Sequence, residues 1–172
     1  PPGARTWPLG LVLFYLGRYD EAVVRLDSDI RSFEDQFEES ATDERIWQAA
    51  AMIRGAREAG ADVTQAAAGL PMLEIREINP LRKTVYKMFR GEALPDDVTA
   101  VAKLEAQGID YLGVNFFSEL FLGLWHDAHG NEVEAETYVL AACVNTYPKS
   151  DDLWYHTPRM HARVRGWTLQ EE

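Results

Sequence analysis

At 172 residues the chain has the length of one domain, and its 47% hydrophobic content is enough to bury a core without disulfides or metal and too high for a disordered chain. Its 28 acidic against 17 basic residues give a formal net charge of −11, which opposes nucleic acid and anionic lipid as partners and favours solubility and the steering of basic partners. A single cysteine, Cys143, rules out an internal disulfide, and the longest apolar runs, around 9–16 and 116–125, fall short of the roughly 18 residues that a membrane-spanning helix needs. The first residue is Pro1 rather than Met, so the sequence leaves the compartment open.

In chain order, the first predicted element is a helical hairpin, WPLGLVLFYLGRYDEAVVRL from Trp7, with Gly17 at its turn. The acidic run Glu34, Asp35, Glu38, Glu39 lacks the spaced Asp/Asn and the Gly of a calcium loop; it reads as a solvated helix face, with Phe33 and Phe37 as its buried side. Thr42 is placed to cap a helix with Asp43 and Glu44 in its first turn, Ile46, Trp47, Ala50 and Ile53 on one face, and Gly55 and Gly60 at its end. Residues 60–70 read as a loose or short helical connector. Asn79-Pro80 is a cap and first-position signal for a helix that turns Leu81, Val85, Met88 and Phe89 inward and stops at Gly91. Pro95-Asp96-Asp97 opens another, with Val98, Val101, Ala102 and Leu104 inward, ending near Gly108. A second hairpin, FLGLWHDAHGNEVEAETYVLAA, begins at Phe121. After Pro148, Ser150 or Asp151 caps a last helical region, in which Pro158 makes a kink or a restart capped by Thr157, and Gly166-Trp167 closes it. No segment alternates apolar and polar residues for long enough to predict a strand. The expectation is an all-α chain of seven to nine helices, one domain over 1–172.

The two hairpins share a spacing. Gly17 follows Gly10 by seven residues as Gly130 follows Gly123, and Ala22 and Ala135 each follow by twelve. This resembles the tetratricopeptide repeat, with Leu-Gly in helix A, Gly at the turn and a small Ala early in helix B, over about 6–33 and 119–150. The small residues suit the parts: Gly10 and Gly123 for close approach of helix B, Gly17 and Gly130 for a left-handed helix end, Ala22 and Ala135 at the crossing. Ala142 and Pro148 continue the second copy, whereas the first departs from the pattern with Asp29 in place of a later Ala, so that its helix B is free to run on. The resemblance implies a TPR-like α-α superhelix with irregular middle repeats. It also implies a concave surface lined by helix A: Trp7, Leu11, Phe14 and Tyr15 in one copy, Phe117, Leu120, Leu124 and Asp127 in the other. Segments such as LRKTVYKMFRGE (81–92) and MHARVRGW (160–167) further resemble TPR-like proteins of photosynthetic organisms, which implies a plastid or thylakoid setting and a helper or peripheral role in a membrane complex.

Chemistry-bearing residues are sparse. His126 and His129, at i and i+3, have a spacing that puts two metal ligands on one helix face, but no third or fourth ligand follows at a telling distance, and His126 falls where such repeats carry an inward Tyr. His156 and His161 are poorly spaced for one face. Cys143 has no basic neighbour in sequence or helix N-terminus to activate it and reads as a structural thiol. Arg159, Arg163 and Arg165 beside Trp167 suit a helix C-terminus and pairing with the acidic bulk better than a patch for phosphate. No phosphate-cradling Gly loop, GxSxG, HExxH or CxxC occurs.

The sequence therefore points to a non-catalytic protein-interaction module, an adaptor, assembly factor or peripheral subunit, with protein partners, no cofactor, no nucleic acid and no transmembrane insertion. Self-association through exposed repeat ends is a further expectation. The alternative is a small metal-dependent hydrolase or metal-binding protein using His126 and His129.

Overall fold

Helix-starting and helix-stopping signals divide the chain into nine α-helices, with no strand among the described residues, which in this computed structural model are 7–107, 111–144 and 151–168. The count and the all-helical architecture are those read from the sequence. The helices fall into two compact units, one ending at Ala93 and one beginning at Leu94.

The first unit holds α1 (Trp7–Tyr15), α2 (Tyr19–Phe37), α3 (Thr42–Glu58), α4 (Val63–Ala68) and α5 (Pro80–Phe89). Helix α3 is its centre, packed against each of the other four. Accordingly α3 is buried on most sides, with Ile46, Trp47, Ala50 and Ile53 wholly enclosed and the polar Arg45, Gln48 and Arg54 buried beside them. It runs through Gly55 instead of ending there, because Gly55 is a packing residue: a Cβ at that position would lie 3.1 Å from the Cβ of Tyr19 on α2. The chain turns at Gly60, where φ is +70°. Thr42 is the first helical residue and not the cap. The residue before it, Ala41, offers no side chain, and the carboxylate of Glu34 on α2 accepts its backbone N–H at 3.2 Å. The same carboxylate accepts two bonds from the Arg45 guanidinium, at 3.1 and 2.7 Å. Glu34 is thus buried and engaged, not part of a solvated face, whereas Phe37, expected inside, is half exposed. The rest of the run keeps its expected sides, with Asp35, Glu38 and Glu39 exposed and Phe33 half-buried.

Connector 60–70 forms the short α4, capped by the Asp62 side chain. Asn79 caps α5 as expected, its Oδ1 accepting from Arg82 N at 3.0 Å with Pro80 at the first position, and Leu81, Val85, Met88 and Phe89 are all buried. Residues 70–79 between α4 and α5 form no helix and are described below as the strap.

The second unit holds α6 (Pro95–Glu105), α7 (Tyr111–His129), α8 (Glu132–Val144) and α9 (Leu153–Arg165). Helix α7 packs against α6 and α8, and α8 against α9. On α6, Val98 and Ala102 are buried and Val101 is half-buried, but Leu104 faces solvent, a correction to its expected inward place. Helix α9 is capped by Asp152, whose Oδ1 accepts from Trp154 N at 3.1 Å, instead of by its neighbour Asp151. It continues through Pro158 and ends at Gly166, left-handed at φ +74°. The expected positions of Gly108, Pro148 and Ser150 lie outside the described residues. No helix among the described residues is long and apolar enough to cross a membrane.

Candidate functional site

The hairpins α1–α2 and α7–α8 are built in one register. A Cβ on Gly10 would meet Leu26 side-chain atoms at 2.6 Å, and one on Gly123 would meet Val139 at 2.6 Å, the partner lying sixteen residues further on in both cases. Only glycine lets these backbones come so close. Gly17 and Gly130 sit at φ +72° and +83°, in the left-handed region that ends a helix cheaply for glycine. Ala22, Ala135 and Ala142 are fully enclosed. Helix α2, with Asp29 in place of a small residue, runs for 19 residues. Asp29 is held by Arg25 through two bonds at 3.0 and 3.1 Å.

The helix A residues expected to line a concave surface are distributed between core and rim. Leu11, Phe14, Leu120 and Leu124 are buried, while Tyr15 and Phe117 are half-buried; the Trp7 side chain lies outside the described residues. Phe14 makes edge contacts with Tyr15, Tyr19 and Trp47, and Phe117 with Trp154 at 5.2 Å between ring centres.

Asp127 is 4% exposed and belongs to an internal clasp. Arg165 Nη2 on α9 donates to its Oδ2 at 2.7 Å, and His161 Nε2 lies 3.3 Å from the same oxygen. The His161 ring stacks on Trp167, 5.6 Å between centres. Arg159 is likewise turned inward: it donates to the carbonyls of Tyr155 and Cys143 and covers the Tyr155 ring at 3.7 Å. Of the three C-terminal arginines only Arg163 is exposed. The clasp was invisible in the sequence because its members are more than thirty residues apart.

His126 and His129 both pack on Trp125, with ring centres 4.9 and 4.1 Å away, but their Nδ1 atoms meet different groups. His126 stacks on Tyr138 of α8, 5.5 Å between ring centres, with Nδ1 3.3 Å from Asn131 Nδ2, while His129 Nδ1 is 2.8 Å from the Trp125 carbonyl. Burial pushes the His126 pKa down. No group of three or more metal-ligating side chains forms among the described residues. Burial pushes the Cys143 thiol up to about 11, away from nucleophilic chemistry.

One surface was missed by the sequence reading of sites. Helix α5 carries Arg82, Lys83 and Lys87, with Arg90 immediately after it, and no acidic residue. Its inner face is core, so these cations share the outer side. Two are spent locally, Arg82 on Asp43 at 2.8 Å and Arg90 on Glu92 at 2.7 Å. Lys83 and Lys87, one helical turn apart, are exposed and make no ion pair among the described residues, and the same holds for Arg76 on the strap. The strap is tied to α5 by Tyr86, whose hydroxyl donates to the Pro71 carbonyl at 2.9 Å, and by Arg90, which donates to the Leu70 carbonyl at 2.5 Å. Burial raises the Tyr86 pKa, which keeps that hydroxyl a donor. Between strap and helix lies a groove of about 280 Å³. Met72, Leu73 and the Tyr86 ring give it an apolar floor, and Arg76, Lys83 and Lys87 are among its polar lining. Met72 is 66% exposed and Ile78, at the other end of the strap, 84%. The sequence signal for this surface was the four cations within LRKTVYKMFRGE; the strap that completes it has no periodicity to read.

Comparison with models of protein families, with curated proteins and with solved structures finds no match for this chain.

Proposed function

We propose that this chain is a non-catalytic protein-interaction module: an adaptor, assembly factor or peripheral subunit of a larger complex, built on TPR-like hairpins. The observation that carries the reading is the pair of hairpins in one register, each closed on a glycine contact and a left-handed glycine turn. Helical repeats of this construction use rigid stacking to present a surface, not to assemble reacting groups. The strap groove supplies such a surface, an apolar floor rimmed by four cations and three carboxylates. A plastid setting follows from the sequence resemblance alone.

The metal-dependent alternative rests on His126 and His129, whose rings both pack on Trp125 and whose Nδ1 atoms lie against Asn131 and the Trp125 carbonyl. Substitution separates the two readings. The interaction module keeps its partner when His126→Ala and His129→Ala are combined, and the purified protein carries no stoichiometric metal. A metal enzyme would lose both metal and hydrolytic activity in the same double variant.

A further inference from the structure

Resting on the interaction-module reading and deepening it, we propose that the groove between the strap and α5 binds an acidic peptide segment of a partner protein, one apolar side chain of which seats on Met72 and the Tyr86 ring while its carboxylates meet Lys83, Lys87 and Arg76.

Three observations select this occupant. The chain is acidic overall, yet the groove lining has four cations against three carboxylates, and Arg76, Lys83 and Lys87 form no ion pair among the described residues. An acidic segment neutralises them, and the surrounding negative field turns away a long polyanion such as nucleic acid, which would have to lie across the acidic remainder. Second, the floor is apolar and Met72 is largely exposed on it; methionine adapts to varied apolar partners at low steric cost. Third, the groove volume of about 280 Å³ lies just below the roughly 300–1,000 Å³ of small-ligand sites and accommodates one or two side chains better than a whole cofactor. Lys83 and Lys87, one turn apart on α5, offer charges to a bound segment at successive positions along one line. Glu74, Glu77 and Glu92 also line the groove and set its selectivity, since they repel carboxylates placed away from the lysine row.

The test is a selection of random peptides about 12 residues long, displayed on phage, against the full chain, followed by titration of the enriched peptides. The expected sequences place two or more Asp or Glu beside a Leu, Ile, Phe or Met. Lys83→Glu combined with Lys87→Glu weakens them by about tenfold or more and leaves the thermal transition unchanged, because both side chains are exposed. Met72→Ser, a second and independent variant, weakens them several-fold without altering their salt dependence. The proposal is overturned if no acidic peptides are enriched, if the charge-reversed variant binds them equally well, or if a single-stranded RNA of similar length binds wild type more tightly than they do. A native partner that survives in the charge-reversed variant would remove the groove and leave the interaction module standing; absence of any native partner would remove the module itself.

Discussion

Asp127 shows what a single side chain does in this molecule. Its carboxylate is almost wholly enclosed and accepts from the Arg165 guanidinium of α9, with the His161 ring 3.3 Å away, which fastens that helix to α7. Removing the carboxylate takes the ion pair from a largely buried Arg165 guanidinium, so Asp127→Ala is expected to cost about 3 kcal/mol in urea unfolding. Asp27→Ala, which breaks an exposed i,i+4 pair with Arg31, is expected to cost less than about 0.5 kcal/mol. Cys143 gives a residue-scale prediction of opposite character. Its folded pKa is pushed to about 11, above the roughly 8.5 of a free thiol, so between these values the native state holds a proton that the unfolded state has lost. Stability therefore falls as pH rises through that window, and Cys143→Ala gives a shallower decline of urea midpoint with pH than wild type. The repeat resemblance places Asp127 on the concave face lined by helix A. Helical register located it correctly on α7, but no local pattern announces an acceptor whose donor lies 38 residues away on another helix.

At the scale of the element, glycine and capping chemistry govern where helices lie. Gly123→Ala gains about 1 kcal/mol of helix propensity but drives a methyl to within 3.0 Å of the Val139 backbone nitrogen, which cannot rotate aside. Overpacking of this kind costs about 1–3 kcal/mol, so the variant is expected to melt below wild type. For Gly10→Ala the three nearest atoms all belong to the Leu26 side chain and none to backbone, so it is expected to lose less. The turn of α2 works in reverse: Glu38 occupies the left-handed region at φ +54°, where a side chain is strained, and Glu38→Gly is expected to raise stability by about 1 kcal/mol. These contrasts explain what could be read in advance. Gly10, Gly17, Asn79-Pro80 and Gly166 are local signals and gave the hairpins, the start of α5 and the end of α9. The end of α2 at a glutamate, and the start of α3 at a residue whose cap is supplied by Glu34 from another helix, carry no local signature.

For the whole molecule, charge is the organising quantity. A net −11 makes the chain acidic as a whole, whereas α5 with its strap carries Arg76, Lys83 and Lys87, exposed and in no ion pair among the described residues. Four of those cations stood in one short stretch of sequence, but only tertiary contact reveals that Arg82 and Arg90 are consumed while Lys83 and Lys87 remain available. The groove itself depends on Tyr86 and Arg90 reaching the carbonyls of Pro71 and Leu70, contacts made by residues that the hydrophobic pattern assigns only to the core or the surface. The central claim is that the chain works by holding another protein, and the most direct measurement is purification of the tagged full chain from its natural source under native conditions, at low and at moderate salt, with mass spectrometry of the eluate and metal analysis of the same fractions. The account predicts a protein partner in fixed proportion, held more weakly at moderate salt, and no stoichiometric metal. A chain that emerges alone and monomeric, carrying bound metal that is lost in the His126→Ala, His129→Ala variant, would contradict it.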